Sequence, residues 1–85
     1  MGNSKRIPDP PLPMIKVMAH AALVRAATAV TVYWVRNNIA NENRTKHLIS
    51  SVKVREALLE LLVDGLAEEV PPVYETNLHF YRAVS

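Results

Sequence analysis

The stretch SSVKVREALLELLVDGLAEEV, residues 50–70, decides how this chain is read. Val54, Ala57, Leu58, Leu61 and Leu62 recur at three- and four-residue spacing, the mark of a helix with one buried face. Ser50 and Ser51 stand where an N-cap belongs. Gly65 stands where a left-handed residue ends a helix, and glycine takes that conformation at least steric cost. Leu66 to Val70 then reads as a strand stopped by Pro71 and Pro72. Leu59 and Val63 add a second apolar strip, so this helix has a face for a second partner, either an earlier helix or a twin subunit.

Downstream, Leu78 to Val84 alternates, with Leu78, Phe80 and Val84 on one face and His79, Tyr81 and Ala83 on the other. The two strands, joined by PPVYETN, make a hairpin. Upstream, Met14 to Asn38 reads as a long helix through Ile15, Met18, Ala22, Ala26, Ala29, Val30 and Tyr33. Thr28 to Val35 is rich in β-branched and aromatic residues, which suits a strand. The apolar stripe favours helix, and a break near residues 26–28 is the alternative. Tyr33 and Trp34 read as core or dimer interface. Asparagines make 37–43 turn-like, and Glu42 to Ile49 reads as a short helix.

The expected fold is therefore α+β, mostly α: a winged helix-turn-helix with a long N-terminal helix and a C-terminal two-stranded wing. Residues 14–85 form that domain. Residues 1–13 are a Pro-rich basic arm, with Pro8, Pro10, Pro11 and Pro13 beside Lys5 and Arg6.

Composition narrows the function. At 85 residues the chain is one small domain, and 49% hydrophobic content sets it apart from a disordered one. The absence of cysteine rules out disulfide scaffolds and thiolate chemistry. The charge is uneven: residues 1–56 carry nine Lys/Arg against three acids, and residues 57–85 carry Arg82 against five acids. The basic part suits a polyanion. His20, His47 and His79 lack metal-ligand spacing, and two glycines make no phosphate loop, so neither enzyme chemistry nor a cofactor is expected. Lys16, His20 and Arg25 interrupt the most apolar stretch, which argues against a membrane span.

Ser50-x-x-x-Val54-Arg55-Glu56-Ala57-Leu58, followed by Leu61 and Gly65-Leu66, resembles the recognition helix of GntR-type winged-helix regulators. The C-terminal half also looks like a small ribosomal-subunit protein of the same fold. The regulator resemblance implies DNA contact by Ser50, Ser51 and Arg55; Lys53 stands where that family often has proline. Lys46, His47 and Lys53 lie close by in sequence and are expected on phosphates; Arg44 and Arg82 are also expected to contact nucleic acid, with Arg82 and His79 offsetting the acids of the wing.

The expected function is that of a dimeric DNA-binding protein, a transcriptional regulator or a plasmid or phage accessory factor. Its partners are double-stranded DNA and a second copy of the chain, in a cytoplasmic, nucleoid-associated setting. One rival is an adaptor or structural subunit of a larger protein or ribonucleoprotein assembly, docking through the Leu59/Val63 strip. A mitochondrial location stays open, because the first 41 residues hold one acid and five basic residues.

Overall fold

The computed structural model describes residues 9–43 and 49–84. Three helices come first: α1 (Leu12–Ala26), α2 (Val32–Asn43) and α3 (Ser51–Val63). Strands β1 (Ala67–Val70) and β2 (Phe80–Ala83) follow as an antiparallel pair, giving a mostly helical α+β domain.

The long helix expected over Met14 to Asn38 is two helices. Ala27 takes a left-handed conformation (φ 57°) and ends α1, its N–H reaching Leu23 O at 3.4 Å. The β-branched run Thr28 to Val35 then divides, with Val30 alone pairing like a strand and Val32 to Val35 belonging to α2. Val30 pairs with Tyr81 of β2 through two main-chain hydrogen bonds of 2.8 Å, one in each direction. Thr31 restarts the helix, since its Oγ1 accepts the Trp34 N–H and its carbonyl accepts the Val35 N–H. The asparagine-rich residues 37–43, expected to turn, belong to α2. There Asn38 Oδ1 accepts two bonds from Arg25 of α1, so this side chain ties two helices together rather than competing for its own backbone. Of the short helix expected over Glu42 to Ile49, Glu42 belongs to α2, and residues 44–48 lie outside the described residues.

Helix α3 follows its sequence pattern. Val54, Ala57, Leu58 and Leu61 are buried, and Leu62 packs at the edge. They meet Ile15, Ala19, Ala22 and Leu23 of α1 and Val35 and Ile39 of α2 in one core. At its end, Gly65 (φ 76°) donates to Leu62 O and Leu66 donates to Leu61 O, a Schellman closure. Lys16 of α1 reaches Asp64 at 2.7 Å and Glu60 at 3.4 Å. A cation there complements the negative end of α3.

In the hairpin, Glu68 faces Arg82 and Glu69 faces Tyr81. The buried face is the one that carries Ala67, Ala83 and Tyr81, while Phe80 and Arg82 project from the other. The loop between the strands spans residues 71–79, and Tyr74 there packs edge-on to Phe80 with ring centroids 6.3 Å apart. Of the core or dimer-interface placement expected for Tyr33 and Trp34, the core is overturned, since both are exposed. Among the described residues no helix is long and apolar enough to cross a membrane.

Two left-handed residues give opposite tests. A Cβ at Gly65 meets no atom within 4 Å, so only backbone conformation opposes it. Gly65→Ala should lower unfolding free energy by about 1–2 kcal/mol in urea titration. Ala27→Gly, which relieves the same conformational cost at the end of α1, should raise it by about 0.5–1 kcal/mol.

Candidate functional site

The start of α3 is where sequence and structure meet. Ser50 is its N-cap residue, but its side chain makes no capping bond. The Ser50 N–H instead donates to Asp9 Oδ2 at 3.4 Å, and the same oxygen lies 3.9 Å from Lys53 Nζ. The arm thus reaches the positive end of α3 with a carboxylate of its own. Two residues expected to contact nucleic acid, Ser50 and Lys53, already have an internal anion beside them. Nothing in the arm's composition signals this contact, because a lone Asp among prolines reads as tail.

The other expected contacts divide. Arg82 Nε donates to Glu68 Oε2 at 2.7 Å across the strand pair, and His79 Nδ1 lies 2.7 Å from Glu69 Oε2. Arg82 neutralises one acid of the hairpin and His79 is hydrogen-bonded to another, so neither faces outward without a partner. Arg44, Lys46 and His47 lie outside the described residues. Arg36, which the sequence reading passed over, holds the approach to α3 by donating from Nε to Ile49 O at 2.6 Å.

Arg55 differs from the rest. Lys16, Arg25, Arg36, Lys53 and Arg82 each have a carboxylate, amide or carbonyl partner. Among the described lysines and arginines, Arg55 alone makes no hydrogen bond or ion pair. It is exposed, and it lines a cavity of about 390 Å³. Ser51 and Val52 of α3 line the same cavity, as do Val32 and Tyr33 of α2. The hairpin side is closed by Leu78, His79 and Tyr81. One wall therefore comes from each of three elements, and the Val30–Tyr81 pair sets their spacing.

Tyr81 is 3% exposed, and no described residue bonds its hydroxyl. Burial raises its pKa above the ordinary tyrosine value, the nearby Glu69 carboxylate adds to the rise, and the Arg55 guanidinium opposes it. The hydroxyl, the guanidinium and Glu69 are thus electrostatic neighbours. Sequence reasoning placed Tyr81 on a strand face without marking it as a site residue. The only available signal was its alternation with the small Ala83.

The rest of the surface offers apolar patches. Leu59 and Val63 on α3 are exposed, Val63 by 86%, as are Met14, Val17 and Val24 on α1. The described residues bring no three metal-ligating side chains together.

No protein-family model matches the chain, and it matches no curated protein and no solved structure.

The Tyr81 proton gives a pH test. The folded state holds it more tightly than the unfolded chain, which releases it first. Stability should therefore fall as pH rises past 10.0. The raised pKa of Lys16, caused first by its bond to Asp64, contributes a fall of the same sign above 10.5. Urea titrations between pH 9 and 12 should show a shallower fall for Tyr81→Phe than for wild type.

Proposed function

We propose that this chain is a small winged-helix protein that binds double-stranded DNA with the exposed side of α3. It acts as a dimeric transcriptional regulator or as an accessory factor of a plasmid or phage. Support for the winged helix comes from element order. A strand-like residue, Val30, sits between the first two helices and pairs with the second hairpin strand, and α3 leads directly into that hairpin.

The observation that carries the DNA reading is Arg55. It stands one turn into α3 with no internal partner, and a guanidinium so placed suits guanine or phosphate through paired hydrogen bonds. Helix α2 begins beside it, so two helix starts face the same side as the free cation. The hairpin contributes little to this reading, since its basic side chains are already paired. Contact by one α3 gives weak binding, and a dimer reading two half-sites raises it.

A second reading, an adaptor subunit docking through protein contacts, is favoured by the exposed Leu59 and Val63. Arg55→Ala separates the two. DNA affinity, measured by fluorescence anisotropy, should fall more than tenfold, and the log–log salt slope should lessen by about 1. Equal affinity for wild type and variant would retire α3 as the DNA-reading helix. Asp9→Ala should act in the opposite direction. It releases Lys53 and the Ser50 amide, so affinity should rise and the salt slope should steepen by about 1.

A further inference from the structure

We propose that the cavity between α2, α3 and the hairpin is a binding site for a small phosphate monoester with an apolar body. Three features of the cavity agree on a negative ligand. Arg55 supplies the one unpaired cation among the described lysines and arginines. The first-turn residues Val32 and Tyr33 of α2 and Ser51 and Val52 of α3 bring two positive helix ends to one space. Neither helix has an acid in its own first turn, and the Asp9 carboxylate, which offsets part of the field at the start of α3, comes from the arm. Asp9 and Lys53, at the same end of α3, do not line the cavity.

Tyr81 supplies the independent observation. The residue is buried, its hydroxyl has no partner among the described residues, and Tyr81 lines the cavity. Among the described residues no fully sealed side-chain polar atom lacks a partner, so this unbonded hydroxyl keeps some access to solvent. A largely buried hydroxyl with no protein partner is a donor available to a ligand that enters the cavity its residue lines. Glu69, the carboxylate that acts on it electrostatically, is engaged by His79.

The remaining wall decides the rest of the ligand. Val32, Val52 and Leu78 offer hydrocarbon, with Tyr33 as an aromatic face. A volume of about 390 Å³ lies at the small end of the roughly 300–1,000 Å³ typical of ligand sites. Two helix ends and a guanidinium suit a phosphate dianion better than a single carboxylate. The consequence rests on the DNA reading: a bound phosphate monoester occupies Arg55 and so competes with DNA for the same guanidinium.

The test is an NMR titration of the full chain with phenyl phosphate, alongside inorganic phosphate, phenol and benzoate. Phenyl phosphate should shift the amides of Val32, Tyr33, Ser51 and Val52 and bind at least about tenfold more tightly than any of the other three. Arg55→Gln should weaken it by about tenfold. Tyr81→Phe, which removes only an unbonded hydroxyl, should weaken it severalfold while the spectrum stays dispersed. Shifts centred elsewhere, benzoate binding as tightly, or an unchanged affinity in Arg55→Gln would overturn the site. A labelled DNA duplex titrated separately keeps the two claims apart. Phenyl phosphate binding here without DNA binding upholds the site and retires the DNA reading. DNA binding without phenyl phosphate binding does the reverse.

Discussion

The pair of main-chain hydrogen bonds between Val30 and Tyr81 is the constraint on which the rest of the arrangement depends. It stops the N-terminal apolar run from continuing as one helix. It also brings the start of α2 against the hairpin and presses the Tyr81 ring onto the core. Without it, the cavity beside Arg55 has no fixed third wall. The bonds themselves are ordinary, each worth about 0.5–1.5 kcal/mol net. Their importance lies in what they position.

Electrostatics then divides the molecule into satisfied and unsatisfied parts. Lys16 serves the end of α3, Asp9 serves its start, and the hairpin pairs its own charges across the strands. These are exposed or half-exposed contacts that individually add little to stability. Together with the bonds of Arg25 and Arg36, they pair most of the lysines and arginines among the described residues. Arg55 stays unpaired because Ser51, Val52, Val32 and Tyr33 around the cavity carry no charge and Glu69 is bonded to His79. Its isolation follows from its surroundings, and the segment in which it lies is among the more charged of the chain.

How much was legible in the sequence depended on how local the deciding contact is. Helix α3, its glycine stop and the strand after it are local, so spacing and one backbone-permissive residue were enough. The hairpin was legible for the same reason. Helix α1 and helix α2 were merged because the stripe Ile15 to Tyr33 satisfies a helical period on both sides of the break. What breaks it is a strand far downstream, together with a left-handed alanine that no propensity favours. Arg55 was legible as a helix-surface cation. Its lack of a partner was not, because pairing of Lys53 with Asp9 and of Arg82 with Glu68 depends on which chain segments meet. Tyr81 was missed for a related reason: alternation gives two faces without saying which one the helices cover.

The reach of the Val30–Tyr81 pair carries a kinetic and thermodynamic consequence. The two residues are 51 positions apart, whereas Val70 and Phe80, which close the hairpin, are ten apart. Loop closure makes the longer connection more costly by about 1.4 kcal/mol. Helix α3 and the hairpin can therefore organise early, while the pocket beside Arg55 is complete only once the chain has closed on itself. A ligand seated there binds the finished fold alone. Its binding energy adds to the cooperativity of the whole domain, so occupancy is read out as resistance to unfolding everywhere at once.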